Sequence, residues 1–148
     1  MQAQMLAPAA ALVLWSIVML LWTGATRFPA MARLGGNLKT APPGGRGQNL
    51  DGVLPDPVQW KSHNHTHLME QPTIFYPTVV IIALMGPNAG TIAIAWAYVA
   101  LRILHSIWQA TVNTIPVRFA LFLLSTLCLI LLAIHAFELT AFAKGVAA

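Results

Sequence analysis

An all-α membrane domain of four spanning helices is the fold class this sequence predicts, and three observations predict it. The chain is 57% hydrophobic and 8% charged, with a mean hydropathy of +0.69, where a soluble domain averages about 25% charged residues. Four apolar stretches divide it, at about 5–25, 71–85, 90–108 and 116–137. The longest segment between them, 27–62, holds five of the eight Lys/Arg and is interrupted by Pro and Gly. So little polar surface cannot cover a water-soluble globule of 148 residues, whereas a lipid-facing surface removes that requirement.

The first stretch, centred on AALVLWSIVMLLW, meets the roughly 20-residue length of a bilayer span. No Lys or Arg precedes Arg27, and the apolar core outruns the h-region of a signal peptide, so an uncleaved span is expected. Segment 27–62 follows as one long loop, because APPGGRGQN and DGVLPDP carry residues that interrupt regular helix. Its basic residues, Arg27, Arg33, Lys39, Arg46 and Lys61, place it in the cytoplasm by the positive-inside rule. The second stretch is short, and reaches full length only if its helix begins near His63 with polar turns in the headgroup region; its span is set at about 66–85. GPNAG (Gly86–Gly90) is a tight turn into the third span, about 90–110. Ala110–Ile115 links to the fourth, about 116–138, with Pro116 suited to a first helical turn. The whole of 1–148 reads as one membrane domain with both termini opposite the basic loop.

Composition also excludes. The formal charge is +4, but the basic residues form no run, so no nucleic-acid partner is expected. A single cysteine, Cys128, forbids an intrachain disulfide and a multi-thiolate metal site, and reads as an apolar filler. No discontinuous helix pair, repeat or ring of like charges suggests a channel or transporter.

Ionisable groups within spans are costly and need a reason. Arg102 lies about 18 Å along the third helix, cannot shed its charge, and must face the bundle interior, pair with an anion or snorkel. His105 shares its face, with Ser106 one step around. Glu70 opens the second span and Arg118 the fourth, so topology brings Glu70, Arg102, His105 and Arg118 to one leaflet. Two readings follow: a net-positive pocket for a small anion with Glu70 neutralising one Arg, or a Glu70–Arg102 pair locking helices with Arg118 as an interface anchor. In HNHTH, His63 and His67 are spaced i, i+4. That spacing suits two metal ligands, but few carboxylates and no Cys accompany them, so no metal is assigned, and a polar helix start at the membrane surface is the other reading. Trp22, Trp60, Tyr76 and Trp108 read as interfacial aromatics.

In order, LMEQPTIFYP, ALMGPNAG, WAYVALRILHS and TIPVRF resemble the MAPEG superfamily, the membrane-associated proteins of eicosanoid and glutathione metabolism. The pattern is that of microsomal glutathione transferase and microsomal prostaglandin E synthase. There a helix-two Glu precedes an aromatic–Pro step, a Gly-Pro-Asn turn follows, helix three carries Arg-x-x-His-Thr, and Pro-x-Arg opens helix four. This chain has Glu70, Gly86-Pro87-Asn88, Arg102-x-x-His105-Ser106 and Pro116-x-Arg118. The resemblance covers about 60–135 and is similar to the bacterial branch. It implies a four-helix bundle assembled as a homotrimer, multi-pass in a bacterial inner membrane, with sites between subunits and glutathione as thiol substrate or cofactor. Arg118 would hold the glutathione thiolate as the catalytic residue. Glu70 would receive the peptide ammonium or orient Arg102, and Arg102 would grip a carboxylate or hold Glu70. His105 and Ser106 match secondary contacts. His67 stands where the family has Asn, and Gln109 where it has a glutathione-contacting Tyr, and both are carried over as glutathione-binding residues; His63 and Thr66 stand where Arg is usual.

The resemblance therefore implies a glutathione-dependent transferase or peroxidase acting on a small lipophilic electrophile among membrane lipids. The alternative is a non-catalytic lipid- or quinone-binding protein or an accessory subunit of a larger membrane complex.

Overall fold

The computed structural model describes residues 1–36 and 41–143; Lys39 and Lys144 lie outside the described residues. The described residues form five helices: α1 (Gln2–Arg33), α2 (Asp56–Leu68), α3 (Pro72–Met85), α4 (Ala89–Thr111) and α5 (Ile115–Ala141). A short 3₁₀ turn, Gly47–Leu50, lies between α1 and α2. α1, α2 with α3, α4 and α5 make four segments long and apolar enough to cross a membrane.

α1 buries a stripe at helical spacing, Met5, Leu12, Ser16, Met19 and Thr23, while Val13, Leu14, Ile17 and Leu21 remain exposed, as lipid contact requires. It runs to Arg33, two turns into the segment read from sequence as loop. Those turns are held from outside: Arg27 Nη2 donates to Ser62 Oγ at 2.6 Å, and α1 packs along α2. At 32 residues α1 is about 48 Å long, more than a hydrocarbon core needs, so its ends stand in the interface. The loop is shortened from the other side too, because α2 begins at Asp56, about two turns before the expected start near His63. Pro57 in its first turn needs no helical partner for its missing N–H.

The second span is not one helix. Pro72 has no N–H to offer the Leu68 carbonyl, so α2 ends there and Met69–Gln71 close into tight i, i−3 bonds: Met69 N to Thr66 O at 2.9 Å and Glu70 N to His67 O at 3.4 Å. The span read from sequence as one stretch, about 66–85, thus carries a break at Met69–Gln71. A buried stripe nevertheless continues across it: Asn64, Leu68, Pro72, Phe75, Val79 and Ile82.

The turn into α4 explains its own sequence. Gly86 sits at φ 130°, where a side chain is strained. Asn88 caps α4: its Oδ1 accepts from Thr91 N at 2.9 Å while Thr91 Oγ1 accepts from Asn88 N at 3.1 Å. Gly-Pro-Asn is thus a signal of fold rather than chemistry. Asn88→Ala is expected to lower stability by about 1 kcal/mol, read as a lower thermal midpoint in detergent with ligand binding unchanged.

α4 packs against α1, α2 and α5. Its buried stripe, Ala95, Tyr98, Val99, Arg102, His105, Ser106 and Gln109, turns from apolar to polar towards the loop end. The apolar half is closed by Phe75 stacked on Tyr98, ring centroids 4.2 Å apart. Cys128 is half-buried against this core.

Candidate functional site

At the loop end the polar half of α4 faces α2 and the first turns of α5, and two cavities meet there. The first, about 340 Å³, is lined by His63, Thr66, His67, Glu70, Gln109 and Arg118, with Gln48 from the 3₁₀ turn. The second, about 200 Å³, is lined by His67, His105 and Arg118 with Ile115, Phe119 and Phe122. The first is lined by polar and charged side chains, the second mainly by apolar and aromatic surface. His67 and Arg118 line both.

Each wall has a local cause. Thr114–Pro116 starts α5 and puts Arg118 in its first turn. Asn113, at φ 57°, is in the left-handed conformation that Asn tolerates, and its Oδ1 accepts from Arg118 Nη1 at 2.8 Å. The guanidinium is therefore held at the cavity wall rather than free to snorkel. Glu70 sits in the break before Pro72, where its carboxylate Oε2 accepts from His67 Nδ1 at 2.7 Å. The His67 ring packs tilted on His105, centroids 5.1 Å apart, and on Phe122 at 5.5 Å.

Five of the seven sequence-predicted site residues thus line the paired cavities: Glu70, His67, His105, Gln109 and Arg118. Arg102 and Ser106 line neither; both are 0% exposed within the bundle. The expected Glu70–Arg102 pair is not formed. Arg102 Nη2 instead donates to the His67 backbone carbonyl at 3.1 Å. In an unbroken helix that carbonyl accepts from Gln71; the Pro72 break weakens its backbone bonding and the arginine takes the lone pair. Among the described residues, Arg102 Nε and Nη1 have no hydrogen-bond partner, and every ion pair within 4 Å involves a histidine.

Ser106 likewise serves the bundle. Its Oγ accepts from Trp15 Nε1 on α1 at 2.9 Å and from Asn64 Nδ2 on α2 at 2.6 Å, joining three helices at one oxygen. A second, half-buried relay joins Tyr98, Gln71 and Thr126: Tyr98 Oη donates to Gln71 Oε1 at 3.4 Å, and Gln71 Nε2 donates to Thr126 Oγ1 at 2.8 Å. Sequence reasoning missed Asn64, Trp15 and Gln71. The signal for Asn64 was present, since it falls on the stripe that continues into Leu68 and Phe75.

The three HNHTH histidines reach different surroundings. His63 Nε2 pairs with Asp51 Oδ1 at 3.1 Å, His65 lines an apolar groove with Met69 and Tyr76, and His67 enters the paired cavities. Among the described residues no three His, Cys, Asp or Glu side chains are grouped to hold a metal ion. Lys61 is spent on structure, donating to Ala110 O at 3.0 Å with its ammonium 5.3 Å from the Trp22 ring centroid.

Chemically, the arrangement offers one fixed cation, one carboxylate tied to an imidazole, and neutral amides on the polar side. An aromatic chamber on the other side suits an apolar group. A family model described as MAPEG family matches residues 5–137. No curated protein and no solved structure matches the chain.

Proposed function

Because the chain belongs to the MAPEG family, and its polar and aromatic cavities share Arg118 and His67, we propose that it is a glutathione-dependent transferase or peroxidase of the membrane. Glutathione occupies the polar cavity, with its thiol at Arg118. A lipophilic electrophile enters from the lipid through the aromatic cavity and meets the sulfur where the two spaces join. The observation that supports this reading is that junction: Arg118, held by Asn113, lines both chambers, and a thiolate bound there would lie at the boundary the two substrates must share.

The chemistry follows from charge. A free thiol is mostly protonated at neutral pH, and a fixed cation favours the nucleophilic thiolate. Glu70 receives the peptide ammonium while keeping His67, and Gln109 and Thr66 supply neutral hydrogen bonds to the peptide. A homotrimer with sites between subunits, which the family resemblance implies, would add a neighbour's groups on the open side of the cavity. Native mass spectrometry from mild detergent tests it, three copies being the expected mass.

One observation favours a second reading. Among the described residues, Arg118 is the only Lys or Arg lining either of the paired cavities, whereas glutathione carries two carboxylates. Each missing charge-assisted contact forfeits about 1.5–3 kcal/mol. A non-catalytic lipid or quinone site, or an accessory subunit, needs no such charge. Isothermal titration of glutathione into the purified protein separates the two. Binding heat that disappears in Arg118→Ala supports the thiol site. No heat with wild type, together with a quinone or a stoichiometric partner retained through purification, supports the second reading.

A further inference from the structure

We propose that His67 is the proton acceptor of the thiol site, a general base whose tautomer is set by Glu70. The inference rests on the thiol reading above and adds a residue to it.

Arg118 can hold a thiolate but cannot make one, because a guanidinium has no lone pair for the thiol proton. Some other group at the junction has to take it. Gln48, Thr66 and Gln109 are not bases. The Glu70 carboxylate is already engaged by His67 Nδ1. His63 lines only the polar cavity and is paired with Asp51. His105 lines only the aromatic one. His67 lines both, as Arg118 does, so base and cation share the walls of both cavities.

Its surroundings prepare it for that task. The Glu70 carboxylate can only accept, so the 2.7 Å contact puts the hydrogen on His67 Nδ1 and leaves the Nε2 lone pair free. His105 and Phe122 pack against the ring, and Arg102 donates to the His67 carbonyl. The charged and titratable groups facing the imidazole are thus Glu70 beside it, Arg102 and His105 on α4, and Arg118 on α5. This is the arrangement by which a carboxylate orients an imidazole for general-base work.

The step balances with an electrophile of the α,β-unsaturated carbonyl class. The S–H proton passes to His67 Nε2, and the thiolate pairs with Arg118. Sulfur then forms a C–S bond to the β-carbon while the π electrons move towards the carbonyl. The α-carbon takes the proton back from the His67 imidazolium, so S–H has added across the double bond and His67 is neutral again.

The test uses the full chain in detergent: glutathione titration, and turnover of a lipophilic unsaturated aldehyde at saturating glutathione from neutral to alkaline pH. His67→Asn keeps a side chain that can still meet Glu70. It is expected to bind glutathione as wild type does, to turn over about 100-fold more slowly at neutral pH, and to recover as pH approaches the free-thiol pKa near about 8.5. Glu70→Gln leaves the base but loosens its tautomer, and should lose roughly 10-fold with the wild-type profile shape. A His67→Asn rate that is unchanged, or reduced by one factor at every pH, overturns the proposal. Loss of glutathione binding in His67→Asn while the protein stays monodisperse also overturns it, by making His67 a substrate contact. Wild type that binds no glutathione removes the thiol reading itself, a different result from wild type that binds and reacts independently of His67.

Discussion

Arg118→Ala is expected to reduce kcat/KM for glutathione conjugation by about 100- to 1000-fold, the range seen when a preorganised electrostatic donor is removed, while the bundle stays folded. Two features make the effect on chemistry large and the effect on stability small. The guanidinium is held by Asn113 at the wall that both cavities share, so deleting it removes the one Lys or Arg charge that lines them among the described residues. Its partner Asn113 is in the loop before α5, half-buried and able to meet water instead. The measurement is conjugation of a chromogenic electrophile, with thermal unfolding in the same detergent as control. The reduction should fall mainly on kcat/KM rather than on protein yield. Arg118→Lys tests whether charge alone suffices: lysine keeps the cation but not the planar fork that Asn113 orients, so recovery should be partial. Wild type and Arg118→Ala that are equally inert, with no glutathione bound, would sink the thiol reading and leave the lipid or quinone reading standing.

Ser106→Ala is expected to have the opposite profile: a loss of stability with ligand binding retained. One oxygen accepts from Trp15 and from Asn64, and Asn64 is fully buried with its own Oδ1 already without a partner. Alanine strands two donors from two other helices. Hydrogen bonds between membrane helices average about 0.6 kcal/mol with a maximum near about 1.7, so two of them together place the loss at about 1–3 kcal/mol. It should appear as a lower thermal midpoint in detergent. Asn64→Leu introduced together with Ser106→Ala removes one stranded donor, so the double variant should be less destabilised than the sum of the singles. A Ser106→Ala protein with unchanged stability but weakened glutathione binding would return Ser106 to the ligand-contact role that the family resemblance implies.

Both expectations depend on how far the site was readable in advance. Glu70, Arg102, His105 and Arg118 could be brought to one leaflet from span order alone, because a helix has a fixed rise per residue. The α4 stripe could be read from the spacing of Ala95, Tyr98, Arg102, His105 and Gln109. Partners could not. Glu70 and Arg102 looked complementary by charge, yet Glu70 bonds His67 within its own segment, and Arg102 takes a carbonyl loosened by Pro72. A pattern of charges carries no information on which backbone groups a proline leaves underbonded in the folded bundle. The length of α1 was misjudged for a related reason: Arg27 and Ser62 lie 35 residues apart, and it is their contact that keeps the last turns helical.

The sequence by itself determined that four segments are long and apolar enough to cross a membrane, and where the turns before α4 and α5 fall. These depend on local quantities: apolar length, a missing N–H at proline, a glycine at positive φ, a capping asparagine. Only the tertiary structure decided that Ser106 ties three helices, that Arg102 is enclosed, and that His67 and Arg118 share the walls of a polar and an aromatic chamber. The physical reason is rotation. Periodicity fixes which residues share a face of a helix, but the angle at which that face meets its neighbours is set by packing among segments far apart in the chain. A few tens of degrees separate a side chain sealed in the core from one lining a cavity.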